Sequence, residues 1–170
     1  MKIVQMLYGE TLTKSYQKKV DKIKKLMSKD DTYELVIRPK IEEADWTVNN
    51  YVKDSEMVKM EMASVNSDMF FIDIGVSIEK FPNFSKTDFP YFTSHPEGKM
   101  ADTAMFYVNG HPEYFQQILN ERKRRNITSP LWWPRKMLRM MKFNNISETE
   151  YDRTFLYNRD FAYMQKVGLR

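Results

Sequence analysis

Apolar and polar positions along the chain change rhythm in a regular way. Residues 2–8, KIVQMLY, make a short apolar run closed by Gly9, which predicts a buried strand. From residue 13 to 27, Tyr16, Val20, Ile23 and Leu26 recur at helical spacing among lysines, predicting an amphipathic surface helix. Residues 28–31 make a turn, and residues 33–37, with β-branched Val36 and Ile37, form a strand that Pro39 ends. The polar stretch 42–53 predicts a loop or a loosely held helix. Asp54 and Ser55 then read as N-cap residues of a helix carrying Met57, Val58, Met62 and Val65 on one broad face.

The next run, MFFIDIGVSIEKFPNF over residues 69–84, is apolar until Asp73, with Gly75 two residues later. A turn rich in proline and polar residues follows, holding a short strand at 89–93, before a buried strand at 103–108. Asn109 and Gly110 make a turn, and Pro112 suits the first turn of a helix, where its missing N–H costs nothing. That helix turns Tyr114, Phe115, Ile118 and Leu119 inward and ends in an Arg/Lys run. Pro130, Trp132, Trp133 and Pro134 form an aromatic loop before a short helix at 135–141. A strand at 153–157 and a terminal helix at 159–166 complete the expectation.

Strands alternating with helices predict an α/β domain with a largely parallel central sheet flanked by helices. In such sheets ligands sit beyond the carboxyl ends of the strands. Parallel opening strands would bring Leu7, Tyr8, Gly9, Ile37, Arg38, Asp73 and Gly75 to one edge. A chain of 170 residues fits a single domain, with residues 126–170 as a basic and aromatic C-terminal extension packed on it. Cysteine is absent, which excludes disulfides and thiolate metal sites. No stretch approaches the ~20 apolar residues of a membrane span, so a cytoplasmic protein is expected. Phosphate-cradling, dinucleotide-binding and zinc-protease motifs are all missing, as is the glycine-flanked serine of a nucleophile elbow.

Charge adds one asymmetry. Lysine and arginine number 27 against 23 acids, a net charge of +4. Arg122, Lys123, Arg124, Arg125, Arg135, Lys136, Arg139 and Lys142 crowd one segment that holds Glu121 as its sole acid. This cluster reads either as a solvated helix end and loop or as a field that attracts polyanions.

The order of these pieces resembles the GT-A glycosyltransferases, in particular the group whose sugar-binding region carries an Asp-X-Asp motif. Two stretches carry the likeness. Ser55-Glu56-Met57-Val58-Lys59 is similar to the family's S-D-x-x-R helix, and Phe71-Ile72-Asp73-Ile74-Gly75, running on to Phe81-Pro82, to its motif strand. ADTAMFYVNGHPEYFQQIL resembles the acceptor-side strand and helix, and WPRKMLR the late basic segment.

The resemblance implies a compact GT-A-like, Rossmann-like fold and transfer of a sugar from a nucleotide-sugar donor. The donor would meet Leu7, Tyr8, Gly9, Arg38, Glu56, Lys59 and Gly75. Asp73 and Asp102 would be the catalytic carboxylates, and Asn109, Arg135, Lys136 and Arg139 would hold acceptor or phosphate. Asp73 would ligate Mn²⁺ or Mg²⁺, with the diphosphate and waters completing the shell where Gly75 replaces the second acid. Five departures are plain: Gly75 for aspartate, Glu56 for aspartate, Lys59 for arginine, Asn66-Ser67 where a glycine pair is usual, and no late histidine to complete a metal shell, since His95 and His111 are the two the sequence holds. A modified base in phage-type DNA is one acceptor class, with the basic cluster tracking its phosphates in the host cytoplasm. The alternatives are a catalytically inactive module that binds sugar nucleotide or nucleic acid, and Asp73 as a simple turn residue.

Overall fold

A computed structural model describes residues 1–8, 12–38, 48–94, 101–124, 141–146 and 151–152. The helix and strand expectations at 135–141, 153–157 and 159–166, the Trp132–Trp133 loop, and Gly9, His95, Arg125, Arg135, Lys136 and Arg139 lie outside those residues.

Among the described residues, three helices and eight strands follow one another as β1 (Lys2–Tyr8), α1 (Lys14–Leu26), β2 (Thr32–Arg38), α2 (Val48–Ala63), β3 (Met69–Ile72), β4 (Ser77–Ile78), β5 (Tyr91–Ser94), β6 (Ala101–Tyr107), α3 (Pro112–Arg124), β7 (Asn144–Ile146) and β8 (Tyr151–Asp152). Six strands form one sheet in the order β2-β1-β3-β6-β5-β7. β1 pairs in parallel with both β2 and β3, and β5 with β7, while β6 runs antiparallel between β3 and β5. β4 and β8 make a separate antiparallel pair. The protein is therefore α/β, with a mixed, mostly parallel sheet flanked by helices.

Strand alternation divides the core into two layers. Val4, Met6, Met69, Phe71, Phe106 and Val108 face α2 and α3, meeting Met60, Ala63, Phe115 and Ile118. Ile3, Phe70, Ile72 and Met105 face the other way, toward Ile23 of α1. The first layer holds stacked rings, with Phe106 centred 5.3 Å from Phe71 and 5.4 Å from Phe92. Such rings bury large apolar areas and fix the strand register in a way aliphatic side chains do not.

Three expectations change. α2 begins at Val48, so Asp54 and Ser55 lie inside it rather than capping it; no glycine or proline interrupts the segment. β3 ends at Ile72, and the residues after Asp73 leave the main sheet to form β4. Reversal of β6 carries Ala101 to the edge where β3 ends and Tyr107 to the edge where β3 begins. Asp102 and Asn109 consequently sit at opposite edges, which separates two residues expected together at an acceptor site.

Candidate functional site

β1 lies where the chain changes direction: α1 carries it to β2 on one side and α2 brings it back to β3 on the other. Open α/β sheets bind ligands at the carboxyl edge of such a switch point. Val4 pairs with Phe71, so β3 ends and Asp73 emerges at this edge. Tyr8 and Arg38 are register partners at the same edge, closing β1 and β2. Asp102, placed by its backbone, opens β6 there opposite Thr93.

Asp73 begins a turn closed by a 2.8 Å hydrogen bond from the Val76 N–H to its carbonyl, and its own N–H donates to the Ala104 carbonyl at 2.7 Å. The side chain does something else. Its Oδ1 lies 3.0 Å from Nζ of Lys59, and Lys59 is 3% exposed. That ammonium also lies 3.4 Å from Oε1 of Glu56, donates to the Thr103 carbonyl at 3.3 Å, and sits 4.8 Å from the centre of the Phe71 ring. Both oxygens of Glu56 lie 2.6 Å from the Thr103 hydroxyl, whose single proton satisfies one at a time. Two carboxylates thus share one buried cation, so the charge is paired and hydrogen-bonded as burial demands.

A shift in strand register builds this arrangement. Phe92 pairs with Phe106, but Thr93 pairs with Asp102, so β6 bulges over the intervening residues. The bulge turns the Thr103 hydroxyl and carbonyl toward α2, as bulges beside functional sites commonly re-aim groups, while the bond from the Asp73 N–H to the Ala104 carbonyl continues the β3–β6 ladder in register. On the other face, Lys19 of α1 donates from Nζ to the Gly75 carbonyl. Two lysines from two helices, one on each face of the sheet, therefore reach the Asp73–Gly75 turn.

The expected site residues divide accordingly. Asp73, Glu56 and Lys59 come together, with Gly75 at the adjoining turn and Tyr8, Arg38 and Asp102 at the same edge. Lys59 is too enclosed to grip a phosphate directly; it holds Asp73 instead. Leu7 is buried at 3% exposure and packs in the interior rather than offering its side chain to a ligand. Asn109 stands apart from this group. It has φ 55°, is 8% exposed, and gives its amide to the Thr87 hydroxyl at 2.9 Å and the Phe89 carbonyl at 3.0 Å, so it anchors a loop at the far edge. Thr103 and Lys19 had no local signal: their partners here stand 47 and 56 residues away in sequence.

The donor set is a poor match for Mn²⁺ or Mg²⁺. Hard divalent ions want ~6 oxygen ligands, several of them anionic. Here Asp73 is tied to Lys59, Glu56 accepts from Thr103, and position 75 offers only a carbonyl that already takes the Lys19 ammonium. Among the described residues no group of three or more His, Cys, Asp or Glu is arranged to hold a metal ion. No helix among them is long and apolar enough to cross a membrane. No family model matches the sequence, and no curated protein matches it.

Proposed function

We propose that the protein is a compact glycosyltransferase of the GT-A type that takes its sugar from a nucleotide-sugar donor. One observation carries this reading: a carboxylate held by a buried lysine, Asp73 on Lys59, at the carboxyl end of β3 beside the switch point. A lysine ammonium enclosed to 3% exposure is costly to bury, and the cost is offset by its ion pairs with Asp73 and Glu56 and its hydrogen bond to the Thr103 carbonyl, which hold those groups in place. A turn fixed in this manner suits recognition, where small displacements lose much of the rate.

In this reading the nucleotide lies along Tyr8 and Arg38, the diphosphate against the Asp73–Gly75 turn, and the acceptor toward Asp102. Departure of a nucleoside diphosphate builds negative charge on the leaving group, and preorganised cations and N–H groups lower the barrier by stabilising it. A divalent metal would supply the same stabilisation in the family, but the residues here favour a site whose charge comes from side chains. The rival reading, an inactive binding module, draws support from Gly75 in place of the second acid.

The test is a thermal-shift panel of nucleoside diphosphates and free monosaccharides. Simple mass action stabilises the fold by ~2.7 kcal/mol at a hundred times the dissociation constant. The reading expects at least one nucleoside diphosphate to raise Tm and free sugars to leave it unchanged. No shift with any of the common nucleotides would remove the donor assignment. Binding without turnover of any donor would leave the inactive module standing.

A further inference from the structure

We infer that a second binding pocket lies at the far edge of the sheet, beside the start of α3, and takes an uncharged planar heterocycle of the nucleobase class. A cavity of about 280 Å³ opens there between α3, the loop before β5 and the residues before β7. It falls just below the roughly 300–1,000 Å³ of drug-sized ligand sites, which suits a compact ligand. Phe89 lines it, two residues before Tyr91, the register partner of Tyr107. The length of β6, roughly 20 Å at ~3.4 Å per residue, separates this place from Asp73. The inference therefore stands apart from the donor reading.

One group in the wall has unfinished chemistry. Tyr114 is 8% exposed and packs its ring 6.2 Å from Phe92, yet its buried hydroxyl has no hydrogen-bond partner among the described residues. Burial holds its pKa well above the ordinary phenol value, so it keeps a proton to donate. A buried donor without an acceptor carries a penalty that an acceptor on a ligand removes. Gln117 lies one turn further along α3 on the same face, and its exposed amide both donates and accepts.

The rest of the wall is fixed in advance. The Phe89 carbonyl accepts from the Thr87 hydroxyl at 3.0 Å, from Asn109 at 3.0 Å and from Asn144 at 2.8 Å, which clamps the loop that carries the ring. Phe89, Tyr114 and Met141 supply an apolar body of rings and a thioether, on which a flat ring packs well. Charge on the rim balances. Asp88 and Glu113 are matched by Lys142, 5.9 Å from the centre of the Phe89 ring, and by the His111 imidazolium, 2.9 Å from Glu113. Matched signs give no preference to an ion, so stacking and the two polar groups select the ligand. Such a ligand needs a flat body, an acceptor for the phenol and a donor–acceptor edge for the amide. Nucleobases have all three.

Calorimetric titration of the four ribonucleosides at pH 6.5 tests this, using the full chain and its Tyr114→Phe, Gln117→Leu and Gln116→Leu variants. At least one nucleoside should bind the wild type, and should bind Tyr114→Phe and Gln117→Leu about tenfold or more weakly. Gln116 bonds Asn120 and does not line the cavity, so Gln116→Leu should resemble the wild type. Indole, flat but without an acceptor atom, should bind less tightly than the preferred nucleoside. Melting curves give a second readout. With no partner to lose, ligand-free Tyr114→Phe should have a Tm equal to or above that of the wild type. No nucleoside binding, binding that Tyr114→Phe leaves unchanged, or indole binding as tightly as any nucleoside would overturn the inference. A lowered Tm for ligand-free Tyr114→Phe would overturn it too, because the hydroxyl would then have a partner inside the fold.

Discussion

Lys59 and Asp73 are the residues on which the site turns, and their substitutions should part company. Lys59→Met keeps the length of the side chain but strands Glu56 and Asp73 beside one another without their shared cation. Removing one partner of a buried ion pair costs about 3–5 kcal/mol, and thermal or urea denaturation should register a loss of that size. Asp73→Asn leaves Lys59 with Glu56 and the Thr103 carbonyl, so its stability loss should be no more than about 1–3 kcal/mol. Thr103→Val removes the hydroxyl that donates to Glu56 while preserving shape, and should destabilise by a similar 1–3 kcal/mol. Chemical denaturation of the three variants side by side checks the order. Asp73, Glu56 and Lys59 were legible because a helix and a strand each carried a short motif. Thr103 was not, since a hydroxyl in an apolar strand signals nothing until the strand bulges toward the helix 47 residues earlier.

Among the elements, the start of α3 and the loop before β5 are joined by one titrating group. His111 Nε2 lies 2.7 Å from the Thr87 carbonyl and Nδ1 lies 2.9 Å from Glu113 Oε1, so both ring nitrogens have acceptors. Such a pairing is complete only in the imidazolium. The Thr87 carbonyl first, then Glu113 and Asp88, hold the His111 pKa above its ordinary value against the opposing effect of burial. A group whose folded pKa is raised contributes stability that is fully present below its unfolded pKa and is lost as pH rises through the folded value. Tm should therefore fall as pH climbs from the unfolded imidazole value of about 6.5 through the raised value, and His111→Gln should flatten that dependence. A pH series of melting curves decides it; a wild-type Tm indifferent to this range would mean the pairing adds nothing.

Element boundaries themselves were partly legible. The expected strand at 2–8 coincides with β1, and Pro112 opens α3 as its fixed φ suggests. Two features escaped a local reading. Asp54 and Ser55 look like caps in isolation, but the helix continues through them. The antiparallel course of β6 depends on which strands it pairs with, and sequence rhythm carries no sign of direction.

At the scale of the whole molecule, the question is what the positive field serves. α3 starts beside the Asn109–Gly110 turn at the far edge and runs ~20 Å along its axis to Arg122, Lys123 and Arg124 in its last turn. Arg124 is partly committed, its guanidinium bonding Glu121 at 2.6 and 2.8 Å. If a nucleic acid is the acceptor, replacing these three residues with glutamine should weaken its binding and flatten the salt dependence in proportion to the phosphates released. The fold should persist, because the helix is anchored by Tyr114, Phe115 and Ile118 at its other end. Filter binding across a salt series measures this, and unchanged DNA affinity would assign the run to a solvated face.

The most direct measurement is release of nucleoside diphosphate from a panel of sugar nucleotides, followed by mass spectrometry with the wild type and Asp73→Asn at matched folded fractions. With Asp73 pinned by Lys59 and positioning the turn against which the diphosphate lies, the wild type should turn over at least one donor, and Asp73→Asn, which loosens that turn, should be about 10²-fold slower while still folded. Equal turnover by the two proteins would make Asp73 a turn residue and contradict the account at its centre.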